Sequence, residues 1–159
     1  MLSFRPLRTT DFPRLLTWLS TEHVKQWWND GDDTLEKVVL HYGAKEPDVE
    51  RFILKKSTQG RKSPIGYFQY YIVSQDTIGI DQFIGEADHI NQGIGTAAIT
   101  LILEKIVAKH QPKQIIIDPH PKNQHAIRCN EKVGFVYYAM EPGENGEGAY
   151  MMRLKLSAD

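Results

Sequence analysis

With a single cysteine, Cys129, in 159 residues, the chain can form no internal disulfide, so an oxidising compartment would add nothing to its stability. It contains no apolar run of about 18 residues, the length a membrane-spanning helix needs. Its opening segment, Met1-Leu2-Ser3-Phe4-Arg5-Pro6-Leu7-Arg8, is too short and too punctuated to be a signal peptide. These absences predict a soluble, cytoplasmic protein that does not associate with membranes. Positive charge is not in excess either. The 19 Lys and Arg against 20 Asp and Glu give a formal net charge of −1, which argues against a general nucleic-acid binder, whose mark is a basic excess or stripe. The six histidines have no metal-ligand spacing, and His120 and His125 flank a turn, so no metal is expected. There are no internal repeats and no low-complexity tail.

What is present suits one domain over residues 1–159, since domains commonly run to about 100–150 residues. A first strand over 2–7 leads into a helix with Thr10 as its N-cap and Pro13 in its first turn. A short helix over 21–28 ends in Asn29-Asp30-Gly31-Asp32-Asp33, and a third helix runs from Thr34 to Tyr42. Residues 51–56 and 65–73 read as hairpin strands around Gln59-Gly60-Arg61-Lys62. A strand over 77–85, a long helix over 93–109, a buried strand over 114–118 and a helix over 123–133 follow. Two last strands near 135–139 and 149–156 are joined by the polar loop 141–148. The order βαα(α)βββαβαββ is an α+β layout.

The segment richest in chemical information is Gln92-Gly93-Ile94-Gly95-Thr96-Ala97, a glycine turn opening into the long helix. Glycines let a backbone approach an anion closely, and the N–H groups of a helix start, with the helix dipole behind them, point at the charge. A P-loop is excluded, because no Lys follows Gly95 to reach a β/γ-phosphate. Gly93-x-Gly95-x-x-Ala98 fits a dinucleotide fingerprint, with Asp118 about 20 residues on. However, the polar segment 86–91 separates strand from turn, and too little chain follows for the further βα units such a fold requires.

A coenzyme A pyrophosphate turn is the third possibility, and here the chain resembles the Gcn-related N-acetyltransferases (GNAT superfamily). Ile90-Asn91-Gln92-Gly93-Ile94-Gly95 is similar to their Q/R-x-x-G-x-G/A turn, with Ile90 departing at the first position. Asn123-x-x-Ala126-Ile127-Arg128-Cys129-Asn130-Glu131-Lys132-x-Gly134-Phe135 resembles their N-x-x-A-x-x-x-Y-E-K-x-G-F segment, with Asn130 where a tyrosine usually stands. The resemblance covers residues 77–156 and implies a mixed, mostly antiparallel twisted sheet with helices on both faces. It further implies that acetyl-CoA is the co-substrate. Phe83 and Ile84 on the strand, Gln92, Gly93, Ile94, Gly95 and Thr96 at the turn, and Asn123, Ala126 and Asn130 on the next helix would hold it. Within the superfamily, Gly79-Ile80-Asp81-Gln82, Asp118-Pro119-x-Pro121-x-Asn123 and Trp18-Leu19-x-x-x-His23-Val24-x-x-Trp27-Trp28 are similar to segments of the aminoglycoside 6′-N-acetyltransferases. That similarity implies Asp81 as catalytic base and Asp118, with Gln82, on the acceptor side.

The residues themselves pose the same question. Asp81 interrupts an apolar strand, and a carboxylate facing a core is costly without a partner. It either points to solvent by alternation or receives the substrate ammonium or its proton. Asp118 either caps the turn toward residue 123 or joins Asp81 in favouring a cation. Trp27 and Trp28 cannot both face the core from one helix; one packs and one lines an acceptor cleft, beside an acidic run that is solvated or attracts ammonium groups. Direct attack of an amine on a thioester needs a proton acceptor and an N–H donor for the carbonyl oxygen. A thiol of pKa about 8.5 can depart with little help, and Asn130, an amide, cannot supply a proton, so Tyr137 or Tyr138 would substitute, the step needs no acid, or the activity is weak. Cys129 reads as a small filler within a helix. The expected function is acetylation of a primary amine on a polycationic small molecule, an aminoglycoside 6′-amine first, by a monomer or homodimer. Another amine (a siderophore hydroxylamine, a polyamine or a protein N-terminus) and a non-catalytic acyl-CoA-binding module are the alternatives.

Overall fold

Hydrophobic periodicity and turn residues cut the chain into seven strands and five α-helices, described here from a computed structural model that covers residues 1–143 and 146–156. The strands are β1 (Leu2–Pro6), β2 (Val49–Thr58), β3 (Arg61–Ile72), β4 (Thr77–Ile84), β5 (Gln114–Ile117), β6 (Val136–Glu141) and β7 (Ala149–Lys155). The helices are α1 (Phe12–Leu19), α2 (Glu22–Lys25), α3 (Leu35–Tyr42), α4 (Ile94–His110) and α5 (Gln124–Val133). One sheet takes the order β1-β2-β3-β4-β5-β7-β6. It is mixed: β4 and β5 run parallel, whereas β1 with β2, β5 with β7, and β6 with β7 run antiparallel. The chain forms two compact units, one of residues 1–69 and 82–92, the other of 70–81 and 93 onward, so β3 and β4 each contribute to both.

In the first unit, Phe12, Leu15, Trp18 and Leu19 of α1 share a buried cluster with Val24, Val38, Tyr42, Ile53 and Tyr67. Local chemistry sets the element ends. Gln59 and Gly60 both have positive φ, 51° and 77°, the pairing a type I′ hairpin turn requires between β2 and β3. Thr34 Oγ1 accepts from Lys37 N–H at 3.2 Å and caps α3. At α1 the structure differs from the expected Thr10 cap. Thr9–Asp11 forms a single 3-10 turn and Asp11 is the residue before the helix. Its carboxylate accepts both Arg5 guanidinium N–H groups at 2.7 Å and the Arg8 N–H at 2.8 Å, a set of partners that outweighs a lone threonine hydroxyl.

The second unit buries Ile78 and Ile80 of β4, Ile99, Ile102 and Ile106 of α4, Ile115 of β5, and Phe135 and Met152. Asn123 caps α5, its Oδ1 accepting from Ala126 N–H at 3.2 Å. The parallel ladder between β4 and β5 covers Thr77↔Gln114 to Gly79↔Ile116, while β4 itself continues beyond Gly79. On its other side β5 stays paired with β7 to Ile117↔Met152. Of the loop 141–148, Glu144 and Asn145 lie outside the described residues. Among the described residues no helix is long and apolar enough to cross a membrane.

Candidate active site

The glycine turn is a local product of its sequence. Asn91 (φ 63°) and Gly93 (φ 74°) place two left-handed residues in three, which swings the chain from the segment after β4 into α4. Gln92 steadies that segment by donating from Nε2 to Asp88 O at 2.7 Å. Gly93 is required by its φ rather than by crowding, since a Cβ there would meet no atom within 4 Å. The space in front of it is therefore open to an incoming group. The helix ladder begins with Ala97 N–H to Gly93 O at 3.1 Å, so the first-turn N–H groups point out along the axis of a 17-residue helix toward that space. Thr96 Oγ1 lies 3.2 Å from Cys129 Sγ, tying this first turn to α5, which gives the half-buried cysteine a structural contact.

The carboxylates come from the strand pair that separates. Ile78 and Ile80 are 2% and 0% exposed, so by alternation Gly79 and Asp81 occupy the opposite face of β4. Asp81 is half-buried there, and Asp118 is exposed immediately after β5. Both bear on one phenol. Burial raises the Tyr71 pKa above its ordinary value, and the charges of Asp81 and Asp118 raise it further, as does Tyr138. Tyr71 was not among the sequence candidates. Its trace in the sequence is Gly79, because a lone glycine within a strand signals that another group approaches the backbone closely.

The acid question is partly answered by placement. Asn130 is 3% exposed and its Nδ2 donates to Met152 Sδ at 3.7 Å, so this amide is committed to a sulfur of the protein's own interior. Tyr138 is half-buried under the Arg153 guanidinium, 4.9 Å from its ring centroid. Its pKa is raised by burial and by Glu141 and Asp118, with Arg153 opposing them. Tyr138 is therefore not activated toward proton release. Tyr137 is 45% exposed and stacked at a tilt on Tyr150, centroids 4.6 Å apart. Ala126 is half-buried on α5.

Trp27, Trp28, Gln82, Phe83 and Ile84 belong to the first unit. Helix α2 ends at Lys25, before the tryptophans; beyond it Gln26 N–H donates to Glu22 O at 3.0 Å, and Trp27 and Trp28 N–H both donate to Val24 O, at 3.1 and 2.8 Å. Trp28 is half-buried; it donates from Nε1 to Tyr42 Oη at 3.1 Å and meets Phe83 edge-on at 5.0 Å. Trp27 is 38% exposed. Phe83, half-buried, also stacks on Tyr67 at 5.5 Å, so one side of its ring is used in packing. Gln82 is half-buried, as is Ile84, whose carbonyl lies 3.0 Å from His23 Nε2. The acidic run is more structured than its sequence suggests. Asp33 pairs with Lys37 at 2.8 Å and Asp32 with His41 Nδ1 at 2.7 Å, and ligand atoms of Asp30, Asp32 and His41 all lie within 4.8 Å of one another. His120 is occupied by Glu147 at 2.6 Å and by the Lys122 N–H at 3.0 Å.

The chain is similar to known proteins over nearly its whole length. An aminoglycoside N(6′)-acetyltransferase type 1 of Klebsiella pneumoniae is 27% identical over 170 residues, spanning 97% of this chain and 83% of that protein. A kanamycin resistance protein of Rhizobium radiobacter is 32% identical over 77 residues, 48% of this chain and 71% of that one. The solved structure of the aminoglycoside acetyltransferase AAC(6′)-Ib with coenzyme A and kanamycin superimposes with a TM-score of 0.86 at 27% identity, covering 98% of this chain and 95% of the other. The acetyltransferase (GNAT) domain matches residues 8–140, most of the chain, and with the glycine turn and the parted strands inside that match the protein belongs to the GNAT family of N-acetyltransferases.

Proposed function

We propose that the protein acetylates a primary amine of a polycationic small molecule, the 6′-amine of an aminoglycoside, using acetyl-CoA. Support for the acceptor comes from the relatives of known substrate: the AAC(6′)-Ib structures in complex with kanamycin or ribostamycin carry coenzyme A alongside the drug. The observation that carries the proposal in this chain is that Asp81, half-buried on β4, and Asp118, just after β5, stand where the two strands part, and the charges of both act on the half-buried Tyr71 phenol. Paired carboxylates select a cation, and the aminoglycosides held in the AAC(6′)-Ib structures are polyamines.

Acetyl-CoA supplies an acyl thioester that an unprotonated amine attacks directly. The open space before Gly93 and the outward first-turn N–H groups of α4 suit its pyrophosphate. Asp81, half-buried on β4, holds the ammonium and takes its proton, directly or through water. Asp118, exposed at the end of β5, attracts the cationic acceptor and fixes its orientation. No residue has to protonate the departing thiol, whose pKa of about 8.5 lets it leave as thiolate. That agrees with Asn130 being committed to Met152.

Thiol release from acetyl-CoA, followed with a colorimetric thiol reagent, tests the proposal across aminoglycosides, polyamines and a hydroxylamine. Release is expected with aminoglycosides carrying a 6′-amine and not with analogues carrying a 6′-hydroxyl. Release confined to another amine, or none with any acceptor, would overturn the assignment.

A further inference from the structure

Gly79 lies within a packed strand, and the reason for a glycine there is visible. A Cβ built on it would fall 2.1 Å from Tyr71 Cζ, 2.4 Å from Cε2 and 2.5 Å from Oη. These distances are too short for any side chain, and the obstacle is the ring itself rather than a flexible tip. The tyrosine from β3 thus lies down on the backbone of β4, with its oxygen against residue 79. That oxygen is on the face of β4 opposite Ile78 and Ile80, the face that also carries Asp81 two residues on. Gly79↔Ile116 is also the last pair of the parallel ladder. The phenol therefore sits where β4 and β5 part, on the strand leading to Asp81 and beside the one ending at Asp118.

We propose that Tyr71 is a specificity-determining residue of the acceptor site, its phenol oxygen forming with Asp81 and Asp118 a three-oxygen seat for a primary ammonium. The proposal rests on the amine acetyltransferase assignment above. A primary alkylammonium presents three N–H donors on one small, strongly hydrated centre, and leaving any of them unmatched in a half-buried site is costly. Two carboxylates provide the countercharge; a neutral oxygen supplies the third acceptor without adding a further negative charge. Burial and the two carboxylates keep the phenol in that neutral form. An N-methylated amine has one donor fewer and more bulk, so the seat discriminates against it.

Two variants remove the oxygen from its place in different ways. Tyr71→Phe deletes it and keeps the ring over Gly79, and Gly79→Ala keeps the tyrosine and drives it off the strand. Steady-state kinetics are measured for a 6′-amino aminoglycoside and its 6′-N-methyl analogue, with acetyl-CoA affinity by calorimetry and folding by circular dichroism. Tyr71→Phe is expected to raise KM for the primary amine about tenfold with kcat and acetyl-CoA affinity unchanged, the loss of one hydrogen bond to a charged group. It is expected to leave the N-methyl analogue nearly unaffected, so that the preference for the primary amine shrinks. Gly79→Ala is expected to shrink the same preference. An active wild type whose preference is unmoved by Tyr71→Phe overturns the proposal alone; a wild type that acetylates no amine overturns the assignment beneath it as well.

Discussion

At the residue scale, the carboxylate of Asp11 is structural. Asp11 is 5% exposed, and its oxygens take two N–H groups from Arg5 and one from the Arg8 backbone. Burial alone would raise its pKa, but the Arg5 and Arg8 partners prevail and hold it below the ordinary value. A carboxyl whose folded pKa is depressed stabilises the fold above its unfolded pKa, about 3.9, and loses that contribution as pH falls through the lower folded value. Asp11→Asn should therefore cost about 2–3 kcal/mol at pH 7, because Arg5 is left without its countercharge. In urea titrations from pH 7 to pH 3, the gap between wild type and variant should narrow below pH 4. A constant gap would mean that the pair contributes through packing alone.

At the element scale, the start of α4 and the β4–β5 pair divide the work. Gly93 holds φ 74° with open space where a Cβ would stand, so Gly93→Val brings both backbone strain and a side chain into the path of a phosphate. The expected result is a stability loss of about 1–2 kcal/mol by thermal melting, and acetyl-CoA affinity about tenfold weaker by calorimetry, with kcat at saturating coenzyme nearly unchanged. Affinity equal to wild type would place the pyrophosphate elsewhere. Elements of this kind were legible in the sequence because their signals are local. The glycine turn, Asn123 before α5, Thr34 before α3 and Gln59-Gly60 between β2 and β3 each act within a few residues of where they stand. Local signals also compete: at α1 the residue before the helix is Asp11, held by Arg5 and Arg8, and not Thr10.

At the scale of the whole molecule, the order of elements and the glycine turn followed from the sequence, as did the two aspartates as the carboxylates of interest. What did not follow depends on pairings far apart in the chain. The insertion of β7 between β5 and β6 is one such case. The Trp18 Nε1–H bond to Glu86 at 2.6 Å, 68 residues away, is another. The approach of Tyr71 to Gly79 crosses between strands, and no spacing rule along one strand reveals it. Asn130 adds another: its amide donates to Met152 Sδ, 22 residues away, a contact its motif position does not reveal. The central claim is that the carboxylate of Asp81 serves the amine and not the coenzyme. The most direct test compares wild type with Asp81→Asn for thiol release with a 6′-amino aminoglycoside and for acetyl-CoA binding by calorimetry. A loss of about 10²–10⁴-fold in kcat/KM, the range of general base catalysis, with unchanged acetyl-CoA affinity is the predicted result. Full turnover in the variant, or loss of coenzyme binding in step with turnover, would contradict it.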